Sequence, residues 1–271
     1  MRSDSGSNLG AENPKIVIVL PAYNAERTLR STLDEIPDIA NSTLVLVDDA
    51  STDRTVEVAQ GLGLTVIRHE RNLGYGANQK SCYDAALSAG ADIIVMLHPD
   101  NQYDARCIPV MTKIIELGIC DMVLGSRIRS RRQVLNGGMP AWKYFANRAS
   151  TFGENFALGT ALGDFHSGFR AYSREVLETV PYRLNSNDFV FDQEFIMQAR
   201  HLGFELGDIP VPVRYFSEAS SINFRRSSRY GFEAAKTLVN LGAHRLRIRR
   251  DARFLPATTP SHQPKTDGAA S

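Results

Sequence analysis

Short apolar segments alternate with segments of helical spacing through the first hundred residues of the chain. The apolar segments are rich in β-branched residues and have the length of strands: Lys15–Leu20, Leu44–Val47, Leu64–Arg68 and Ala91–Leu97. Between them lie predicted helices at Ala25–Ile36, Ser51–Gln60 and Ala77–Ser88. Continuous apolar strands alternating with amphipathic helices are typical of a parallel sheet that is covered on both faces. We therefore predict an α/β fold with a mostly parallel, Rossmann-like sheet.

The second half of the chain is less regular. A fifth strand is predicted at Met122–Gly125, and an Arg- and Gly-rich loop follows at Ser126–Pro140. Further predicted elements are helices at Ala141–Leu158, Phe189–His201 and Tyr230–Arg250, and a strand at Glu205–Tyr215 that two prolines interrupt. The polar ends, residues 1–13 and 255–271, are predicted to be disordered tails. This divides the chain into one folded domain, 14–228, and a basic amphipathic C-terminal helix, 229–254.

The composition excludes several classes of protein. The 271 residues carry 31 Lys and Arg against 30 Asp and Glu, so the net charge of +1 does not favour a nucleic-acid-binding protein. Cys82, Cys107 and Cys120 show no CxxC spacing and are interpreted as reduced thiols. We find neither a signal peptide nor the run of ~20 apolar residues that a membrane-spanning helix needs, so we expect a cytoplasmic protein.

Polar clusters follow each of the first four predicted strands. They are Pro21–Asn24, Asp48–Asp53, Arg71–Ala77 and His98–Gln102. Each cluster by itself is also consistent with a turn or a helix N-cap. In parallel sheets, however, ligands bind in the crevice beyond the carboxyl ends of the strands. The sequence therefore predicts that the four clusters form one site.

The residue types in these clusters indicate a nucleotide and a divalent cation. Asp48 and Asp49 offer acceptors to a base or a ribose, and Asp100, with Gln102 and His98, offers ligands to Mg²⁺ or Mn²⁺. Such an ion would offset the charge that builds up on a diphosphate leaving group. The chain has no GxxxxGK[ST] motif and no GxGxxG after the first strand, which disfavours P-loop enzymes and dinucleotide dehydrogenases.

An ordered set of motifs connects the chain to a known family. PAYN, VDDASTD, RNLGYGANQK, HPDNQY, VLGSR and DFHSGFR occur in this order over roughly residues 14–240. In these motifs the chain resembles family 2 glycosyltransferases with the GT-A nucleotide-diphosphosugar transferase fold, and it is most similar to the polyprenyl-phosphate (dolichyl-phosphate) mannose and glucose synthases. The resemblance implies a GT-A catalytic domain over 14–228. It also implies an inverting hexosyltransferase that moves a sugar from GDP-mannose or a UDP-hexose to a polyprenyl phosphate.

The resemblance also implies roles for individual residues. Contacts to the nucleotide sugar are expected from Pro21, Tyr23, Val47, Asp48, Asp49, Gly74, Pro99 and Asp100. The divalent metal, Mg²⁺ or Mn²⁺, is expected on Asp100, Gln102 and His98. The expected catalytic residues are Asp100, Asp164, Arg127 and Arg148, with Lys143 as an alternative to Arg148. A lipid-phosphate acceptor is already an anion, whereas a hydroxyl acceptor needs a general base, for which we expect Asp164 first and His166 next.

The chain departs from the family pattern in ways that keep alternatives open. His98 stands where relatives usually have the first carboxylate of Asp-x-Asp, and Ala25 replaces a glutamate, which is shifted to Glu26. One alternative keeps the donor chemistry but transfers to a hydroxyl on a glycan, metabolite or protein. Another is a degenerate relative that binds nucleotide sugars without turnover. A sugar-phosphate nucleotidyltransferase is disfavoured, because PAYN lacks the Gly- and Arg-rich loop that such enzymes carry after the first strand.

The last predicted helix combines apolar and basic residues. Leu241, Leu246 and Ile248 lie among the cations of Arg245–Arg250. A basic amphipathic helix suits an anionic membrane surface, and the same residues would suit a contact between the subunits of a homodimer. We therefore expect either a peripheral protein on the inner face of the membrane or a subunit interface at this helix.

Overall fold

The computed structural model describes residues 13–127, 141–214 and 224–257, which form a central sheet with helices on both faces. The sheet has seven strands in the order β3-β2-β1-β4-β6-β5-β7. The strands are β1 (Ile16–Ala22), β2 (Ser42–Asp48), β3 (Thr65–Arg68), β4 (Ile93–Met96), β5 (Met122–Ser126), β6 (Arg170–Ser173) and β7 (Leu206–Pro210). The predicted α/β fold with a mostly parallel sheet is confirmed.

One strand runs against the others. β6 pairs antiparallel with both β4 and β5, while the remaining neighbours are parallel. The sequence analysis did not identify β6, because its four residues RAYS contain no apolar run. The predicted strand at Glu205–Tyr215 is shorter in the structure. It ends at Pro210, on the edge strand β7, where a residue without an N–H is tolerated.

Eight α-helices are present in the described parts of the chain, with short 3₁₀ turns between some of them. They are α1 (Leu29–Asp34), α2 (Thr55–Gly61), α3 (Tyr75–Ser88), α4 (Ile108–Glu116), α5 (Ala141–Leu158), α6 (Arg174–Thr179), α7 (Phe191–His201) and α8 (Phe224–Arg245). Short helices α4 and α6 were not predicted. None of the described helices has the length and apolar character that crossing a membrane requires.

Some predicted boundaries differ from the observed ones. α1 begins at Leu29 rather than Ala25, because the backbone of residues 24–26 bonds to side chains of the next loop. α8 spans Phe224–Arg245 rather than Tyr230–Arg250, and Arg247 beyond its end has a positive φ of 59°. The predicted division at 228/229 therefore falls inside α8. Of the predicted loop Ser126–Pro140, Ser126 is the last residue of β5, and residues 128–140 lie outside the described residues, as do most of both predicted tails.

Two hydrophobic layers sandwich the sheet, as the alternation along β1 requires. Val17 and Val19 face a layer that contains side chains of α3, α5, α7 and α8. Ile16, Ile18 and Leu20 face the opposite layer, to which α1, α2 and α4 contribute. The carboxyl ends of the parallel strands remain uncovered by these helices, and the polar loops lie there.

Gly76 marks a place where two backbones meet closely. A Cβ at this residue would lie 2.4 Å from the Ser186 carbonyl oxygen and 2.9 Å from the Phe191 Cβ. We expect Gly76→Ala to lower the free energy of unfolding by about 1–3 kcal/mol, since backbone atoms would have to move. Urea titration is the measurement.

Gly153→Ala is the matched control, because Gly153 lies within α5 and a Cβ there would meet nothing within 4 Å. This variant should be neutral or more stable by up to about 1 kcal/mol, as expected for Gly→Ala within a helix. Equal effects of the two substitutions would contradict the close approach at Gly76.

Candidate active site

The loops after β1 and β2 hold each other in place. The Asn24 amide oxygen accepts a hydrogen bond from the Thr52 backbone N–H at 2.9 Å, and the Asn24 N–H donates to the Ser51 hydroxyl at 2.8 Å. Asn24 and Ala50 both have positive φ angles, 53° and 58°. These contacts bring the PAYN and VDDASTD motifs together at one edge of the sheet, as predicted from the parallel direction of the strands.

Asp49 organises the loop that precedes α3. Its buried carboxylate accepts hydrogen bonds from the backbone N–H groups of Leu73 and Gly74, at 2.8 and 3.0 Å, and lies 2.8 Å from His69 Nδ1. Gly74 adopts φ 98°, and a Cβ there would lie 2.7 Å from the Asn187 carbonyl oxygen. Asp49 and Gly74 are therefore part of one fixed turn at the predicted nucleotide position.

One oxygen of the Asp48 carboxylate has no hydrogen-bond partner among the described residues. Its Oδ2 accepts from the Ser51 N–H at 3.1 Å and lies 3.4 Å from Arg68 Nε, but its buried Oδ1 has no partner among the described residues. The Asn78 amide nitrogen donates to the carbonyls of Ala22 and Val47, and its Oδ1 is likewise buried and unpaired in the described chain. An unpaired buried acceptor costs about 1–3 kcal/mol.

The other residues predicted to contact the nucleotide differ in exposure. Pro21 and Val47 are buried at the ends of β1 and β2, whereas the Tyr23 side chain is 53% exposed beside them. Pro99 holds the loop after β4 by accepting a hydrogen bond from the Thr28 hydroxyl at 2.6 Å. Tyr23 is thus the predicted contact with the most surface available to a ligand.

Asp100 sits in a tight turn after β4. Its Oδ1 accepts from the Gln102 backbone N–H at 3.0 Å, and Asn101, with φ 55°, accepts from the Arg214 guanidinium at 3.0 Å. The Asp100 side chain is partly buried, and this burial raises its pKa. The turn fixes Asp100 at the carboxyl end of β4, next to the loops described above.

His98 is held by aromatic packing and a hydrogen-bond chain. Its ring stacks on Tyr75, with the ring centroids 5.4 Å apart and the planes parallel within 1°. The Tyr75 hydroxyl donates to Asp192 at 2.8 Å, so His98 Nε2, at 3.3 Å from this hydroxyl, must be the donor to it. Burial lowers the pKa of His98, in keeping with a neutral ring. The nitrogen left for a metal is therefore Nδ1.

Asp192 joins the site to the core. In addition to Tyr75, it accepts from Gln79 at 2.9 Å and from Arg170 at 2.8 Å. Although burial of Arg170 acts to lower its pKa, the neighbouring Asp192 carboxylate raises it above its usual value. An ion pair connecting β6, α7 and α3 is thus joined to His98 through the Tyr75 hydroxyl.

The predicted metal ligands fit an ion that is only partly held by protein. Asp100 supplies the carboxylate, and Gln102 lies in the same turn, but His98 can offer only its second nitrogen. The described residues contain no group of three or more His, Cys, Asp or Glu side chains able to hold a metal. Mg²⁺ is commonly bound by one or two carboxylates together with substrate phosphates, and this arrangement suits the residues present.

Both oxygens of the Asp164 carboxylate accept hydrogen bonds from neighbouring groups. The Arg127 guanidinium donates to both of its oxygens, at 2.7 and 3.1 Å, and Asn147 and the His166 N–H donate to Oδ1 at 3.3 and 3.0 Å. Although burial opposes ionisation, Arg127 holds the pKa of Asp164 far below its usual range. A carboxylate this acidic is a poor proton acceptor at neutral pH. The geometry argues against the general-base role expected for Asp164.

His166 is also a weak candidate for a base. Gln193 donates to its Nδ1 at 2.7 Å, which places the ring proton on Nε2, 3.9 Å from the Glu154 carboxylate. Burial lowers the pKa of His166 to about 4. The site therefore positions His166 as a neutral, hydrogen-bonded ring.

Glu154 is a buried carboxyl that sequence reasoning missed. It is 2% exposed on the inner side of α5, and its oxygens make no hydrogen bond of good geometry with described residues. Burial and the nearby Asp164 charge raise its pKa to about 8, with Ser150 acting in the lowering direction. Nothing in the local sequence FGENF distinguishes this glutamate from an exposed helical one.

The two arginines among the expected catalytic residues bond to Asp164 and to its neighbour Gly163. Arg127 pairs with it directly, while Arg148 on α5 donates to the Gly163 carbonyl at 2.8 Å and is otherwise exposed. The side chain of Lys143, the alternative to Arg148, lies outside the described residues. The structure therefore brings Arg127, Arg148 and Asp164 into one cluster, connected by residues 163–166.

Comparison with known proteins decides the family. The model of the family described as "Glycosyl transferase family 2" matches residues 17–180, which is more than half of the chain. The chain belongs to glycosyl transferase family 2. This family 2 protein is an enzyme, and the expected class of activity, hexosyl transfer, is confirmed at the level of the family and its named relatives.

Two curated archaeal relatives are similar over most of their length. A UDP-N-acetylglucosamine–dolichyl-phosphate N-acetylglucosaminyltransferase of Methanococcus voltae is 25% identical over 217 residues, covering 74% of this chain and 86% of that protein. A dolichyl-phosphate hexose transferase of Haloferax volcanii is 28% identical over 200 residues, covering 73% and 82%. These relatives confirm the resemblance noted from the motifs.

A solved structure confirms the GT-A fold. Glucosyl-3-phosphoglycerate synthase from Mycobacterium tuberculosis, in complex with Mn²⁺, UDP-glucose and phosphoglyceric acid, aligns with a TM-score of 0.60 at 20% identity. The alignment covers 84% of this chain and 79% of that chain. At this identity the likeness concerns the fold alone.

The pKa of Glu154 predicts how stability varies with pH. Its ordinary pKa is 4.5, so between that value and about 8 the folded protein retains a proton that the unfolded chain has lost. Stability should therefore fall as pH rises through this interval. Glu154→Gln should raise the free energy of unfolding by roughly 4 kcal/mol at pH 8 and by no more than about 1 kcal/mol near pH 5, measured by urea titration.

Glu175→Gln provides the control, because it makes the same change at an exposed position of α6. It should show no difference between the two pH values. A Glu154→Gln effect of equal size at pH 5 and pH 8 would mean that the carboxyl is ionised throughout, and it would contradict the burial argument.

Proposed function

We propose that this family 2 enzyme transfers a hexose from a nucleotide diphosphosugar to a polyprenyl phosphate, with inversion at the anomeric carbon. The observation that carries the proposal is the ionisation and hydrogen bonding of Asp164. The carboxylate on the expected acceptor side is held ionised and fully hydrogen-bonded by Arg127, and is unsuited to deprotonating a hydroxyl. A phosphate acceptor is already an anion at neutral pH and needs no strong base.

The donor side supports a nucleotide. Asp48 Oδ1, at the position that the resemblance gives to the nucleotide, and Asn78 Oδ1, on the side chain that donates to the Val47 carbonyl, accept no hydrogen bond from the described residues. Tyr23 offers an exposed ring beside them, suited to packing on a base. Asp100 and Gln102, with Nδ1 of His98, would hold Mg²⁺ or Mn²⁺, which would stabilise the leaving diphosphate when bound.

The relatives support the acceptor. The two archaeal proteins bear names that specify dolichyl phosphate, and one of these names specifies UDP-N-acetylglucosamine as the donor. Positioning of two anions then becomes the main task of the site. Arg127 and Arg148 are proposed to orient donor and acceptor phosphates, so that the acceptor oxygen attacks opposite the leaving diphosphate.

The donor site can be tested by thermal stabilisation. UDP, GDP and their common sugar derivatives are added to the protein, each with and without Mn²⁺ or Mg²⁺. A nucleotide present at 100 times its dissociation constant should add about 2.7 kcal/mol to the free energy of unfolding. We expect a metal-dependent shift with one nucleotide, and Asp100→Ala should abolish the metal-dependent part.

Asp34→Ala is the matched control, since this carboxylate is exposed at the end of α1. It should leave the shift intact. If no nucleotide stabilises the protein, the donor-site assignment is wrong. If one binds equally well without metal and is not turned over, the degenerate, binding-only alternative is favoured instead.

The acceptor can be tested with a matched pair of lipids. With the donor identified above, labelled sugar should appear in a lipid product that partitions into the detergent phase when polyprenyl phosphate is supplied. The corresponding polyprenol, which lacks only the phosphate, should react at least about 100-fold more slowly, because a general base usually contributes that much. Comparable transfer to polyprenol or to phosphoglyceric acid would favour the alternative with a hydroxyl acceptor.

A further inference from the structure

Two neighbouring helices carry large apolar side chains that point away from the core. On α5, Phe152 and Phe156 are 75% and 86% exposed and lie four residues apart, on the same helix face. On α8, Phe232 and Val239 are 72% and 70% exposed and lie seven residues apart. This spacing also places them on one face, so each helix carries an apolar stripe directed outward.

The two stripes meet where the helices end. The Arg245 guanidinium donates to the Ala157 carbonyl at 2.9 Å, which joins the C-terminal ends of α5 and α8. Phe156 lies next to this carbonyl, and Leu246 next to the guanidinium is 73% exposed. The opposite sides of both helices are buried in one layer through Leu158 and Leu241. The outward faces therefore form one surface.

Cations concentrate on this surface. Between Gly231 and Arg250 the chain carries five Lys and Arg residues against one Glu. Four of the cations, Arg245, Arg247, Arg249 and Arg250, are exposed and flank Leu246 and the 76% exposed Ile248 in the sequence. We call this surface the aromatic–basic platform; its apolar members are Phe152, Phe156, Phe232, Val239, Leu246 and Ile248.

We infer that the aromatic–basic platform docks on an anionic phospholipid surface, with its aromatic side chains among the acyl chains and its cations at the headgroups. Apolar side chains bordered by cations match the two layers of a bilayer interface. A second copy of the chain fits less well, because a two-fold interface sets each patch against itself. The arginines of one subunit would then face those of the other.

This inference deepens the proposed function, because it connects the platform to the acceptor side of the site. α5 carries both Phe152 and Asn147, and Asn147 donates to Asp164 at 3.3 Å. Five residues of helix correspond to about 7.5 Å along its axis. A bilayer that contacts the platform would therefore lie within about one helix diameter of the Asp164 cluster, where a membrane-bound phosphate could enter.

The test is co-sedimentation of the full chain with vesicles, in the absence of donor and metal. Vesicles of phosphatidylcholine containing about one third phosphatidylglycerol should bind the protein, and phosphatidylcholine alone or high salt should weaken binding. Phe152→Ser with Phe156→Ser should reduce the partition coefficient roughly tenfold. Arg249→Gln with Arg250→Gln should reduce it roughly thirtyfold, from about tenfold per 1.4 kcal/mol.

Matched controls lie on the other face of the sheet. Leu117 and Ile119, next to α4, are 60% and 61% exposed, and their replacement by Ser should leave vesicle binding unchanged. Arg30→Gln with Lys113→Gln removes two exposed cations from α1 and α4 and should also have little effect. All variants change exposed side chains, so their melting temperatures should match that of the parent protein.

Two results would overturn the inference. One is binding to anionic vesicles that the platform variants and the controls affect equally. The other is no binding to anionic vesicles, in particular where sedimentation equilibrium shows a dimer that the Phe152 and Phe156 substitutions dissociate. Neither result would contradict the proposed reaction, because that reaction is assayed with the acceptor dispersed in detergent. Conversely, Asp100→Ala should still bind vesicles whatever happens to its activity.

Discussion

The buried pair of Arg170 and Asp192 is the interaction on which the site depends. Arg170 lies at the start of the one antiparallel strand, and Asp192 lies in the first turn of α7, so their 2.8 Å contact ties the sheet to a helix. Removing one partner of a buried ion pair typically costs about 3–5 kcal/mol, because the other charge is left without compensation. Through Tyr75, the same carboxylate also fixes the orientation of His98.

This arrangement explains in physical terms why a histidine, rather than an aspartate, fits at His98. An aspartate in its place would put a second negative charge near Asp192, whereas a neutral imidazole stacks on Tyr75 and donates to its hydroxyl. The space is also specific, since a Cβ on Gly168 would lie 2.7 Å from the ring. The surrounding residues thus fit a histidine at this departure from the family pattern. Asp100 is the carboxylate that remains in the turn.

On the acceptor side of the site, the two buried carboxyls Asp164 and Glu154 differ in their ionisation. Asp164 is kept charged by Arg127, whereas burial and the Asp164 charge raise the pKa of Glu154 to about 8. Two carboxyls in one buried region can coexist because only one of them is ionised at neutral pH. The result is a site whose fixed charges suit orientation of phosphate groups better than removal of a proton from a hydroxyl.

The sequence by itself determined the α/β class and the family, and it predicted a site at the strand ends, because apolar runs and ordered motifs are local properties. It also placed Asp49 and Asp100 in polar loops after strands. It did not reveal β6, whose four residues become a strand only by pairing with β4 and β5. Only the tertiary structure decided that Arg127 neutralises Asp164, that Glu154 is buried and that two apolar stripes adjoin, since each depends on contacts between residues distant in sequence or on burial.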